Sequence, residues 1–519
     1  MIKRLILWTL LLVFFTASTV QAQDSFALTI MHTNDTHAHH EPDADGNGGV
    51  AEQATVVREI RAEVANALLL DGGDRFTGSI FHTFYRGQDN AQIMNLLGYD
   101  AMVTGSYEYT HGAQVLADFV AAIDFPLVVA NVDFSGSPEL AGKIPPYVIL
   151  ERGGQQIGIF GITRADERVR PVPGVVFSDD YVGIAQATID EMLAQGVNKI
   201  ILLSHLGYFD DLEIATRLSG LDVIVGSDTN TLLSNTLPDA EGPYPAVTQN
   251  ADGDPALVVQ AYDFNLVLGR LDVEFDASGV LTTWSGDAIP LTVDITPDPD
   301  MAELVAQLRE PIGDFLTQTV GETTALIDGT REVCRFEECT MGNLLADAMR
   351  EYTGVQIAFQ NGGGIRASIE SGEISVQEVL DVLPFSNTVA TFELSGLDIV
   401  AALENGVSRV DATDGTGRFL QVSGLRYSWD GSRPAGQRIT NVEVMDAEGN
   451  YDVLDPDEVY TIATNDYLYA GGDDYLMFAE NSSGGEDFGV TADEVVREYI
   501  SSHTPLTLSV EGRITRVDR

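Results

Sequence analysis

The sequence predicts a two-domain α/β protein, and three observations carry that prediction. The chain has 519 residues, its first half alternates short apolar strands with amphipathic helices, and a proline-rich acidic break near residue 297 precedes a second set of elements. Composition is ordinary for a globular protein, with 44% apolar and 8% aromatic residues, so the chain can bury cores of normal size.

In the first half, residues 26–32 read as a strand and 49–66 carry helical periodicity. Residues 67–70 form a short buried strand, 90–97 a helix, and 101–104 a strand. Two further apolar strands, 199–203 and 223–225, flank a helix at 210–218. Each strand is followed by polar residues: Asp35 and His37, Asp74, Ser106 to Glu108, His205, then Asp228 to Asn230. Ligands of open α/β sheets gather at the carboxyl ends of strands, so these loops are expected to converge on one site. Residues 297–310 begin with prolines and acids and turn helical at Met301, with Ala302, Leu304, Val305 and Leu308 as the apolar face of a linker helix. Beyond it a helix at 340–352 ends at Gly354, a strand spans 357–359, a helix spans 376–383, and strands follow Thr388. The expected boundaries are 1–22 for a targeting segment, 24–296 and 320–519 for the domains, and 297–319 for the linker.

The targeting segment has Lys3 and Arg4, an apolar run from Leu5 to Phe15, and the small-residue site Val20-Gln21-Ala22. It reads as a secretory signal cut near Ala22, which makes the mature chain secreted or periplasmic. No second apolar run is long enough to span a bilayer, and residues 513–519 are polar, so no membrane anchor is expected. Only two cysteines occur, Cys334 and Cys339. In an exported chain, cysteines so close in sequence read as a local disulfide. Closing that loop is worth roughly 2 kcal/mol by chain entropy and shapes the segment between them. With 28 basic and 79 acidic residues the formal charge is −51, which excludes nucleic-acid polymers and anionic lipid surfaces as partners. A small anion in a local basic pocket is still allowed.

Asp35 and His37, two residues apart after a strand, can hold one cation; Asp74 can bridge two, and His205 can complete a second site. Paired cations activate water and neutralise a phosphoryl group. The residues Asn34-Asp35-Thr36-His37, Gly73-Asp74 and the tract 94–102 resemble the 5'-nucleotidase family over nearly the whole mature chain. The resemblance implies a metallophosphoesterase-type α/β sandwich followed by a mixed α/β nucleotide-binding domain. In that family the next loop reads Gly-Asn-His-Glu-Phe-Asp, with a metal-binding Asn, a catalytic His and an orienting Asp. Here Ser106, Tyr107 and Thr110 stand in those places, and a later Gly-His-Ser-His stretch reads Ser227-Asp228-Thr229-Asn230. Ser106, Asp228 and Asn230 still offer oxygen atoms, the last two where the family has imidazoles. The resemblance therefore implies two or fewer divalent cations, with manganese, magnesium or calcium favoured over zinc. Tyr107 in the catalytic His position is a poorer acid partner near neutral pH.

The second domain matches the family more closely. Asn361-Gly362-Gly363-Gly364-Ile365-Arg366 follows a strand, and its glycines allow a ligand to approach the backbone. Carried over, Arg335 and Arg366 would contact phosphate or carboxylate groups, Asn361 the base edge, Phe419 and Tyr467 the two faces of the base, and Asp473 the ribose hydroxyls. The family more often has Phe where Tyr467 stands. Three readings follow: an exported metal-dependent phosphomonoesterase acting on nucleoside 5'-phosphates, a nucleotide-binding pseudoenzyme, and a secreted scaffold or adhesion protein.

Overall fold

A computed structural model describes residues 25–164, 172–410 and 417–518. The expected targeting segment lies outside the described residues. Among them, no helix is long and apolar enough to cross a membrane.

Two sheets build the first half. One has five strands in the order Leu281–Pro290, Val267–Phe275, Phe26–Thr33, Ala67–Asp71, Ala101–Met102. The other has six, in the order Ala246–Gln249, Pro255–Val259, Val223–Val225, Ile200–His205, Gln155–Thr163, Tyr147–Arg152. The central strands pair in parallel, Phe26–Thr33 with Ala67–Asp71 and Ile200–His205 with Val223–Val225. Their runs, such as Leu68-Leu69-Leu70 and Ile200-Ile201-Leu202-Leu203, are buried on both faces. One apolar core extends through both sheets and the helices that cover them, making a sandwich.

The helix expected as a linker belongs physically to this core. It runs Pro299–Leu316, and Met301, Leu308 and Ile312 are its buried residues. Ala302, Leu304 and Val305 pack half-buried on the same core, so the expected face was displaced by part of a turn. Asp298 caps it, accepting from the amides of Asp300 and Met301.

The second half is mixed α/β. Its main sheet has the order Leu420–Ser423, Ile357–Asn361, Val459–Asn465, Thr388–Ser395, Ser483–Thr491. Helix Thr340–Thr353 packs on one face and Gly396–Gly406 on the other, giving two apolar clusters. The first ends at Gly354 with φ 71°, the left-handed cap its sequence predicts. Cys334 and Cys339 are joined by a disulfide.

Candidate metal and nucleotide sites

The polar loops of the first domain meet as their strand ends require. Asp35, Asp74 and His205 are buried, with one ligand atom from each lying within 4.8 Å of the others. His205 Nε2 is 3.2 Å from Asp74 Oδ2 and 3.8 Å from Asp228 Oδ1. The opposite ring nitrogen, Nδ1, is 2.9 Å from the carbonyl oxygen of Gly72 and 2.5 Å from Ser227 Oγ. That leaves Nε2 for a cation, the arrangement by which outer partners orient a ligating imidazole. Burial alone would lower the His205 pKa, but the carboxylates of Asp74, Asp35 and Asp228 outweigh it and raise it well above the usual value. Burial likewise pushes the Asp35 carboxyl up. Such a cluster needs positive charge, and a divalent cation fits it by charge, donor type and spacing.

The loops are strained where they carry these residues. Asp35, His37, Asp74, Asp228 and Asn230 all have φ between 47° and 76°. Non-glycine residues in this region cost of order 1–3 kcal/mol each unless surroundings enforce them, and such strain clusters at functional sites. The enforcing contacts are visible. Asn34 donates to Asp35 Oδ2 at 2.7 Å and accepts from the amide of Ala261 at 2.8 Å. The Asp228 amide donates to the Asp35 carboxylate at 3.1 Å. Glu108, fully buried, accepts the amides of Gly105, Asp74, Arg75 and Phe76. It clamps the Asp74 loop to the following loop. Beneath it, Arg75 and Asp71 form a completely buried ion pair that also engages Thr33 and Tyr99. Gly105 is obligatory: a Cβ there would lie 2.1 Å from Asp74 Oδ1 and 2.5 Å from His205 Cε1.

The remaining expected residues lie around this cluster. His37 Nδ1 is 3.1 Å from the Phe76 carbonyl, and its ring meets Tyr107 edge-on at 5.3 Å. Tyr107 donates its amide to Asp74 Oδ1 at 2.9 Å. Ser106 precedes it in the same loop, and Asn230 shares the loop of Asp228. The second oxygen of Asp228 is 3.3 Å from Arg164, which partly neutralises it. The loop of Tyr107 and Thr110 also meets the second domain. Gly489, from the second domain, packs on this loop so closely that a Cβ would be 2.2 Å from Thr110 Oγ1 and 3.1 Å from the Tyr107 ring.

In the second domain a cavity of about 420 Å³ is lined by Arg331, Arg335, Asn361, Arg366, Tyr467 and Asp473, among others. Arg335 is buried, and its Nε has no hydrogen-bond partner. Burial and then the charges of Arg331 and Arg366 push its guanidinium below the ordinary value. Three crowded cations with an unpartnered donor are a receptor for an anion. Arg366 lies over the Phe385 ring at 5.3 Å. Asn361 has its amide engaged internally: Nδ2 donates to Asp473 Oδ2 at 3.0 Å, and Oδ1 accepts from Gln360 and Asn465. Phe419 is fully buried, packed edge-on against Trp429, while the exposed aromatic surfaces at the cavity belong to Tyr467 and Phe385.

Residues 28–231 match the calcineurin-like phosphoesterase model and residues 319–480 match the 5'-nucleotidase C-terminal domain model. The 5'-nucleotidase of Rattus norvegicus is 37% identical over 529 residues, covering 94% of this chain and 90% of the relative. This chain belongs to the 5'-nucleotidase family. A solved 5'-nucleotidase precursor from Thermus thermophilus is 41% identical, covers 95% of this chain and all of that one, and superposes with a TM-score of 0.62. The trifunctional nucleotide phosphoesterase protein YfkN of Bacillus subtilis is 36% identical, and this chain spans about a third of its length (35%).

Within the 5'-nucleotidase family frame, several residues of the two sites escaped the sequence. Arg331 carried a usable signal, since it stands one helical turn before Arg335, so both side chains share a face. Phe385 and Asn387 carried none, because they follow a helix with no motif around them. Glu108 was legible only as one polar residue among several, although its carboxylate organises the metal loops.

Proposed function

We propose that this member of the 5'-nucleotidase family is an exported protein that binds nucleoside 5'-phosphates in the second-domain cavity and hydrolyses them to nucleoside and phosphate. The observation that carries the reading is the buried Asp35–Asp74–His205 cluster, held by strained loops at strand ends. Asp35, Asp74 and Asp228 converge on the single imidazole of His205, and such an excess of buried carboxylates over cations is otherwise costly. Divalent cations bound there, two or fewer, would supply Lewis acidity and neutralise phosphoryl charge. An oxygen-rich donor set, in which Asp228 and, from the adjoining loops, Ser106 and Asn230 would take part, favours manganese, magnesium or calcium over zinc.

This chain's own residues do the rest. Arg331, Arg335 and Arg366 fix the anionic part of the ligand. Tyr467 presents an aromatic face to the base, and Asp473 accepts sugar hydroxyls. Phe419, carried over as the second stacking ring, supports the cavity floor from the core: its carbonyl accepts the amide of Gly362 at 2.7 Å. Tyr107 offers a phenol at the position of the family's catalytic histidine and would donate a hydrogen bond to the phosphoryl group, but a phenol shuttles protons poorly near neutral pH.

A second reading, nucleotide binding without turnover, is favoured by one observation: Tyr107 and Thr110 form a packing surface for Gly489 rather than an imidazole–carboxylate dyad. Phosphate release from adenosine monophosphate, measured separately with manganese, magnesium, calcium, cobalt and zinc, decides between them. Release that disappears in Asp74→Ala supports hydrolysis. Tight nucleotide binding by calorimetry, with no release under any metal, supports the pseudoenzyme. Absence of both leaves the scaffold reading.

A further inference from the structure

We infer that the Tyr467 hydroxyl is a positioning group that holds the Asp473 carboxylate ready for a vicinal diol, so that the cavity selects ribonucleotides over deoxynucleotides. The inference rests on the nucleotide-binding reading of the same cavity and goes beyond it in naming what sets the sugar preference.

Four contacts carry it. The Tyr467 hydroxyl donates to Asp473 Oδ1 at 3.2 Å and accepts from the Asp473 amide at 3.1 Å, closing a small ring between side chain and turn. Asn361 Nδ2 donates to the other carboxylate oxygen at 3.0 Å, and Asn405 Nδ2 donates to the Asp473 carbonyl at 3.1 Å. The turn needs this support. Asp473 and its neighbour Asp474 sit at φ 55° and 63°, successive left-handed conformations that side chains other than glycine adopt reluctantly. Gly472 makes the contact possible: a Cβ there would be 2.5 Å from Tyr467 Cζ, so only glycine lets the ring lie on the turn.

The outcome is a carboxylate fixed before any ligand arrives. A carboxylate offers about four acceptor positions, and two are used by Tyr467 and Asn361. The other two can accept the paired hydroxyls of a ribose, whose recognition then needs no rearrangement of the turn. A sugar lacking one hydroxyl leaves an acceptor facing it unfilled, and sites built to bind a hydroxyl discriminate strongly against its absence. Phenylalanine at 467 would keep the ring face while removing both bonds, leaving the Asp473 amide without its partner.

Calorimetric titration of the full chain with adenosine 5'-monophosphate and with its 2'-deoxy and 3'-deoxy analogues tests this. The wild type is expected to bind the ribonucleotide about tenfold or more tightly than at least one deoxy analogue. Tyr467→Phe is expected to weaken the ribonucleotide about fivefold while leaving that analogue within about twofold, so the preference narrows. In an Asp473→Asn background the same substitution is expected to change the preference no further. A Tyr467→Phe variant that shifts all three ligands equally, or none, overturns the inference and leaves nucleotide binding intact. Failure of the wild type to bind any of the three overturns both.

Discussion

Glu108 ties together two of the loops around the Asp35–Asp74–His205 cluster. Four backbone amides from two loops converge on one buried carboxylate. Removing it leaves four donors unsatisfied in the interior, and each such buried group costs about 1–3 kcal/mol, not additively. Glu108→Ala is expected to lower unfolding free energy by about 3–5 kcal/mol in urea titrations, with loss of manganese binding. Gly105→Ala makes a sharper prediction. Its methyl would overlap Asp74 Oδ1 and His205 Cε1, so calorimetry should show manganese affinity falling at least tenfold while far-ultraviolet circular dichroism is retained.

At the scale of elements, strand ends and helix caps place the chemistry. Parallel pairing brings the ends of Phe26–Thr33 and Ala67–Asp71 together in one sheet, and those of Ile200–His205 and Val223–Val225 in the other. Backbone conformation at helix ends is testable in isolation at Gly354. It terminates Thr340–Thr353 at φ 71°, and a Cβ there would meet nothing within 4 Å. Gly354→Ala therefore reports conformational strain without steric clash, and is expected to destabilise by about 1 kcal/mol in urea unfolding. A change above about 3 kcal/mol would mean that the cap also carries packing.

Among the described residues, polar contacts join the two halves beside the loop of Tyr107 and Thr110. Arg86 makes two bonds to the Glu494 carboxylate, at 2.6 and 3.0 Å, and also meets the His111 ring at 2.7 Å. His111 is stacked on His82 at 5.1 Å. Burial, then the Arg86 charge, pulls the His111 pKa down to about 4, and burial does the same to His39. The unfolded chain takes up these protons near pH 6.5, whereas the folded chain refuses them until about pH 4. The contribution of these two histidines to stability is therefore lost as pH drops through that window. For Glu494, burial pushes the carboxyl up, but Arg86 outweighs it and holds the pKa below the usual value, so its contribution is lost only at lower pH still. Between pH 6.5 and 4 the thermal midpoint of His111→Phe should fall less, or rise more, than that of the wild type, because the variant lacks this opposing group. Glu494→Gln should split the calorimetric transition into two if this contact couples the halves; an unchanged single transition would refute that coupling.

The alternation of apolar strands and amphipathic helices was legible in the sequence. Short apolar runs marked the strands, Gly354 marked a helix end, and the residues Asp35, Asp74 and His205 were legible because each follows or closes a buried strand. The arginines and the glycine turn at 361–366 were legible for the same local reason. What each side chain touches depends on how the elements pack. Packing placed Phe419 in the core and Tyr467 at the cavity, because whether an aromatic residue points inward depends on the neighbouring sheet rather than on its motif. It engaged Asn361 with Asp473, Gln360 and Asn465, partners 112, 1 and 104 residues away. It also brought Gly489 onto Thr110, a contact across nearly four hundred residues that no local pattern encodes. Strand ends are local facts of periodicity, while hydrogen-bond partners and close approaches are set by packing among distant segments, and packing is where the chemistry of both sites is fixed.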